Sequence, residues 1–208
     1  MTSAAQAIVE LGASLFARTL TFGRTGNLSV RVDDHVLVTP TGVSLGALCA
    51  DELSVIDLKG RHISGAKPSK EAFLHAAVYR ARPDSGAVVH LHSTHAVAIS
   101  CLADVDPQDV LPPLTAYYVM RVGILPLLPY HAPGDASLEP LAEATAVNHR
   151  CFLLANHGSV ISGVDLAAAA DAAEELEETA RLFLMLRDHK TAPLDETQVE
   201  ELRQRFPA

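Results

Sequence analysis

The sequence predicts an α/β domain in which helices pack on a mostly antiparallel sheet. Three observations carry that prediction. Apolar segments with two-residue alternation recur between turn signals, as in Asn27–Val32, Val36–Val38 and Ser54–Leu58; this is the period of half-buried strands. Segments with helical periodicity lie before, between and after them, the longest from Asp165 to Lys190. The chain has 208 residues, 49% of them hydrophobic and 20% charged, which suits one well-filled core covering 1–208 and no disordered arm.

Ala4 to Leu20 is expected to be an amphipathic helix with Ile8, Leu11 and Leu15 on one stripe. Gly23 and Gly26 end it before the strand Asn27–Val32. Asp33-Asp34 then turns into a strand through Val36 and Val38, and Thr39-Pro-Thr-Gly42 closes that strand. Ser54–Leu58 and Arg61–Ile63 flank Lys59-Gly60 as a second hairpin. Pro68-Ser69 opens a helix to about Arg80, with Ser69 as N-cap. A strand follows at Ala87–His92, then a helix from Thr94 to Leu102 and a short helix or turn at Tyr117–Arg121. Gly123–Leu128 is expected to be a strand, Leu138–Asn148 a helix, and Cys151–Ala155 and Gly158–Ser162 strands. In the last long helix, the acidic run Glu174–Glu178 is expected to be a solvated face.

The formal charge of -9 argues against a nucleic-acid surface. No apolar stretch approaches the ~18 residues a spanning helix needs, and Met1–Glu10 lacks the basic start of a signal segment. Cys49, Cys101 and Cys151 are odd in number and widely spaced, which suits free thiols in a reducing compartment. The expectation is a soluble cytoplasmic protein with neither a membrane nor a nucleic acid as partner.

His90 and His92 carry the chemistry. Residues two apart on a strand point to one side, so Val88, His90 and His92 line up together. Packing gives an apolar strand no reason to place two imidazoles there. With His157 of Asn156-His-Gly158, they form a possible three-histidine metal set. The competing reading is that each is an ordinary histidine with a hydrogen-bonding partner. Three further segments suit an anion: Gly26-Asn27, Thr41-Gly42 and Ser69-Lys70-Glu71 offer glycine-freed N–H groups, hydroxyls and a lysine. Singly, these are ordinary turns and caps.

In their order along the chain, Gly-Asn-Leu-Ser-Val, Thr-Pro-Thr-Gly, Pro-Ser-Lys-Glu, His-Leu-His and Asn-His-Gly resemble the class II aldolase/adducin family, from about Val9 to Leu186. The resemblance implies a class II aldolase-like fold and a divalent metal, usually Zn2+, with Mn2+ or Co2+ as alternatives, held by His90, His92 and His157. It makes Glu71 the acid/base and a further metal contact, and assigns Gly26, Asn27, Thr41, Gly42, Ser69 and Lys70 to a substrate phosphate. Lys70 stands where some relatives have a second serine. Val89–His95, Leu114–Gly123, Pro133–Asp135 and Glu174–Ala180 are most similar to enzymes that decarboxylate 3-oxo-tetronate 4-phosphates. That likeness implies a homotetramer with a tyrosine, Tyr117 or else Tyr118, supplied as proton donor across a subunit boundary.

The implied reaction breaks the C1–C2 bond of a four-carbon 3-keto acid phosphate. It releases carbon dioxide, leaves an enediolate, and protonates C2 to give dihydroxyacetone phosphate. A retro-aldol cleavage of the L-fuculose 1-phosphate type uses the same enediolate and is the alternative, with a lyase or epimerase on a related pentulose phosphate third; a non-catalytic adducin-like scaffold is the reading from a different class. Arg121 is a candidate carboxylate or phosphate clamp, against a plain surface ion pair. His95 is expected at the start of the following helix, off the metal, and His75 on the face of Glu71, where it could orient that carboxylate.

Overall fold

The structure is a computed structural model and describes residues 2–206. Eight strands form one sheet: β1 Asn27–Val32, β2 His35–Val38, β3 Ser54–Asp57, β4 His62–Ser64, β5 Ala87–Leu91, β6 Leu127–Leu128, β7 Cys151–Leu154 and β8 Gly158–Gly163. Their order is β4-β3-β2-β1-β5-β8-β7-β6, and only β6 and β7 run parallel. The helices are α1 Thr2–Ala17, α2 Ala72–Ala81, α3 Thr94–Ser100, α4 Ala116–Arg121, α5 Glu139–Asn148, α6 Leu166–Leu186 and α7 Glu196–Arg205. This is the expected architecture of helices on a mostly antiparallel sheet.

Strand alternation splits the core into two layers. Leu28, Leu37, Val55, Val89, Leu91, Leu153 and Ile161 face one side and pack with residues of α1, α3, α4 and α6. Val36, Val38, Ile56, Val88, Phe152, Leu154 and Val160 face the other and pack with α2 and α5. Truncating Leu74 or Val160, both fully buried, would cost on the order of 2–4 kcal/mol. The sheet is thus a stiff platform clamped on both faces.

Several local expectations need correction. The strand expected at Gly123–Leu128 shrinks to Leu127–Leu128. Gly123 takes φ +75 at the end of α4, Pro126 has no N–H to give a ladder, and the Leu125 N–H is held by Asp109. Helix α2 begins at Ala72, with Glu71 in the N-cap position. Ser69 Oγ accepts the Glu71 N–H, so it closes the preceding turn and does not cap the helix. The run Glu174–Glu178 is only in part a solvated face: Glu174 pairs with Arg18, Glu175 accepts from Thr115 and Glu177 holds the first N–H groups of α3, while Glu178 stays exposed beside Arg181. Helix α6 stops at Leu186, and α7 follows, started by an Asp195–Gln198 capping box.

Topology selects where a site can form. In the central strands β2-β1-β5-β8-β7, antiparallel pairing brings five ends to one edge: the C-termini of β2, β5 and β7 and the N-termini of β1 and β8. The N-terminus of α2 reaches the same edge, because Pro40 after β2 bridges Pro68 before α2.

Candidate metal centre and substrate site

His90 is the penultimate residue of β5, opposite Asn27 of β1 and Val160 of β8. It lies on the face of Val88, toward α2, and is fully buried. Its Nδ1–H donates to the Ser159 carbonyl at 2.7 Å, which leaves the Nε2 lone pair facing the sheet edge. His92 lies just beyond the strand, and its Nε2 is 3.1 Å from that of His90. His157 ends the turn between β7 and β8, where Asn156 takes φ 56. Gly158 follows because its backbone presses on β5; a Cβ there would sit 2.3 Å from the Leu91 carbonyl oxygen. The three rings stand edge to face, with centroids 4.6 to 5.1 Å apart.

Glu71 enters from α2. Its Oε2 is 3.3 Å from His90 Nε2, and its Oε1 is 3.1 Å from His157 Nε2. One ligand atom from each of Glu71, His90, His92 and His157 lies within 4.8 Å of the others. His157 Nε2 is buried and forms no hydrogen bond despite the nearby carboxylate. An uncapped buried imidazole nitrogen, three nitrogens and a carboxylate converging on one point fit a divalent ion of the zinc type. Burial alone would push the Glu71 carboxyl up, but in the metal-free protein the positive charge that the His90 and His157 imidazoles carry when protonated outweighs it and holds the group well below the usual carboxylate range. Burial and the neighbouring rings push His92 down to about 3, so it stays a neutral ligand near pH 7.

The other predicted residues divide into two sets. Gly26, Asn27, Thr41, Gly42, Ser69 and Lys70 come to the same edge of the sheet. Gly26 takes φ +78 with its backbone against the His90 carbonyl, Thr41 N donates to Lys67 O, and Ser69 N donates to Thr39 O. Lys70 is exposed and packs beside Gly134. The Asn27 amide, however, is already engaged, donating to Glu71 Oε2 at 2.9 Å. Tyr117 and Arg121 do not join the site within the chain. Tyr117 is 59% exposed, and Arg121 pairs with Asp171 on α6 at 2.5 Å, its guanidinium 5.7 Å from the Tyr117 ring centroid. Tyr118, the other possible donor, is buried in the core. His95 donates to Glu177 and stays off the cluster, as expected.

A cavity of about 490 Å³ opens over His92 and His157, lined also by Phe22, Val97, Tyr130 and His131. Sequence reading missed Phe22, Tyr130 and His131 as site residues. They stand on loops with no periodicity: Phe22 lies between α1 and β1, and the pairing of β6 with β7 brings Tyr130 and His131 there.

This geometry, three imidazoles and a carboxylate at the edge of an antiparallel sheet, agrees with what the whole chain resembles. Residues 6–184 match the Class II Aldolase and Adducin N-terminal domain, and the chain belongs to that family. A 3-oxo-tetronate 4-phosphate decarboxylase of Haemophilus influenzae is 50% identical over 208 residues, covering 99% of both chains. The L-fuculose phosphate aldolase of Escherichia coli K12 is 35% identical over 78% of this chain and 74% of its own. The crystal structure of YgbL from Klebsiella pneumoniae superposes with a TM-score of 0.94 at 46% identity, covering 97% of this chain and 98% of that one.

Proposed function

We propose that the protein is a carbon–carbon lyase that decarboxylates a 3-oxo-tetronate 4-phosphate to dihydroxyacetone phosphate and carbon dioxide. The observation that carries this is end-to-end similarity to a decarboxylase of that substrate at 50% identity; the aldolase relative is more distant at 35%. The Glu71/His90/His92/His157 cluster supports metal dependence, with Zn2+ the first choice and Mn2+ or Co2+ alternatives.

His90, His92 and His157 would hold the ion, with Glu71 as a further ligand before substrate arrives. When bound, a divalent ion supplies positive charge that draws electrons toward the C3 ketone oxygen as the C1–C2 bond breaks. The backbone N–H groups at Gly26 and Gly42, the hydroxyls of Thr41 and Ser69 and the Lys70 ammonium would bind the phosphate. Asn27 would share in this through its second amide hydrogen while holding Glu71. Glu71 then carries the proton placed on C2 of the enediolate. We assign Tyr117 as a second proton carrier only across a subunit boundary, since its own chain keeps it away from the histidines. Arg121 would travel with it, and its pair with Asp171 competes with any substrate carboxylate. This reading therefore includes a homo-oligomer, a tetramer in the family pattern. The three unpaired cysteines fit a cytoplasmic location, and no helix among the described residues is long and apolar enough to cross a membrane.

The test offers metal-replete protein a 3-oxo-tetronate 4-phosphate and, separately, L-fuculose 1-phosphate. Metal-dependent release of dihydroxyacetone phosphate and carbon dioxide from the first, with little turnover of the second, is the expected result. Turnover of the second alone would make the protein an aldolase.

A further inference from the structure

Behind Glu71 runs a chain of buried side chains that the reaction as written does not use. Asn27 Nδ2 donates to Glu71 Oε2 at 2.9 Å, and Asn27 Oδ1 contacts His75 Nε2. His75 Nδ1 lies 2.6 Å from Ser29 Oγ, and Ser29 Oγ lies 2.8 Å from Tyr79 Oη. His75 and Ser29 are fully buried, and Tyr79 and Asn27 nearly so. The five residues come from two regular elements. Glu71, His75 and Tyr79 follow each other at four-residue spacing along α2, and Asn27 and Ser29 are two apart on β1, so one helix stripe meets one strand face.

Donor and acceptor roles along this chain are interlocked. An ionised carboxylate only accepts, so Asn27 must turn its NH2 toward Glu71 and its oxygen toward His75. That oxygen requires His75 to carry its proton on Nε2. The Nδ1 lone pair then accepts the Ser29 hydroxyl, and Ser29 accepts the Tyr79 hydroxyl. Any single reversal leaves two donors or two acceptors facing each other out of reach of solvent, at a cost of about 1–3 kcal/mol per orphaned group. Burial pushes His75 down to about 3, in keeping with a neutral ring.

We infer that His75 is a positioning residue for Glu71: as the Nε2–H tautomer, with the Ser29 and Tyr79 hydroxyls completing the donor order behind it, it locks the Asn27 amide with its N–H on the Glu71 carboxylate. The carboxylate is then held in one orientation between the histidines and the substrate and does not swing freely on two torsions. A polar network that merely satisfies the core would have no bearing on the rate of the chemical step. The inference rests on Glu71 being the acid/base, as proposed above.

The experiment compares His75→Leu, which deletes the donor at similar volume, with His75→Gln, which keeps an N–H within reach of Asn27. Bound zinc per chain, KM and kcat are measured for both, alongside Glu71→Gln, and side-chain 15N shifts of His75 are recorded in the unmodified zinc-loaded protein. The expected result for His75→Leu is full zinc occupancy, KM within about threefold and kcat lower by on the order of 10², the cost of a misplaced catalytic group. His75→Gln should recover roughly tenfold of that loss. The 15N spectrum should show a proton on Nε2 and none on Nδ1. A His75→Leu kcat within about threefold of wild type, beside an inactive Glu71→Gln, overturns the positioning role and leaves the acid/base reading standing. Near-normal activity of Glu71→Gln removes the acid/base reading instead. A proton on Nδ1 in the 15N spectrum overturns the donor order whether or not the variants fold.

Discussion

The Nδ1–H of His90 rests on the main-chain carbonyl of Ser159 at 2.7 Å, strand to strand across β5 and β8. A backbone partner cannot rotate away, so the sheet ladder itself selects the tautomer that turns His90 Nε2 toward His92, His157 and Glu71. His90 is therefore as rigid as the sheet.

Metal binding should depend on each ring separately. His92→Ala removes one of three nitrogens and is expected to drop bound metal from ~1 per chain to near zero, with activity lost alongside. Elemental analysis of the purified variant checks this; retained stoichiometric metal would remove His92 from the ligand set. Chelator treatment of the wild type should abolish turnover, and added zinc, manganese or cobalt should restore it.

Glu71→Gln keeps the shape of the side chain and its hydrogen-bonding reach but deletes the proton carrier. The rate should fall by roughly 10²–10⁴ with the three histidines still holding metal. A second readout avoids the full reaction. The variant should lose exchange of the C2-derived proton of dihydroxyacetone phosphate with deuterated water, followed by proton NMR. Exchange at the wild-type rate would assign the proton to another group.

Gly158→Ala tests the close approach that seats His157. The new methyl would lie 2.3 Å from the Leu91 carbonyl oxygen, so β5 and β8 must part or shift. A loss of ~1–3 kcal/mol in stability is expected, with metal affinity falling because His157 and His92 move apart. Denaturant unfolding and a metal titration on the same sample measure both effects. An unchanged midpoint would mean that the β5–β8 spacing is looser than this contact implies.

Acid should destabilise the metal-free fold through its buried imidazoles. His75 and His92 are both pushed from 6.5 to about 3 in the folded protein. Between those values each of these two groups binds more protons in the unfolded chain than in the folded one, so its contribution to stability is full above pH 6.5 and is lost as pH falls toward 3. His90, raised beside Glu71, contributes in the opposite sense. The slope approaches ~1.4 kcal/mol per pH unit for each group. Thermal melts of metal-free protein from pH 7.5 to 4.5 should show it, and His75→Gln should flatten the slope by about one proton. A slope unchanged by that substitution would assign the acid sensitivity elsewhere.

The candidate metal ligands were legible because each sits in a short motif with a readable local geometry. His90 and His92 read as one face of an apolar strand, and His157 is followed by a glycine that the close approach to β5 needs. Of the positioning chain, the four-residue spacing already linked His75 to Glu71, but Asn27, Ser29 and Tyr79 join it only when strand and helix are known to face each other. Helix α7 is announced only by its Asp195–Gln198 capping box, since it carries no buried face to give an apolar stripe. The acidic run at Glu174–Glu178 could be read only in part, since its partners Arg18, Thr115 and the start of α3 lie 60 to 156 residues away.

By itself, the sequence determined most of the elements and the identity of the candidate ligands, because periodicity, turn chemistry and residue type are local properties. Only the tertiary structure decided which ends of the sheet meet. It also decided that the Asn27 side chain serves Glu71, that Tyr130 and His131 line the cavity, and that Tyr117 and Arg121 stand apart from the histidines of their own chain. Those relationships depend on strand order and on contacts between residues far apart in the chain, which no local pattern encodes.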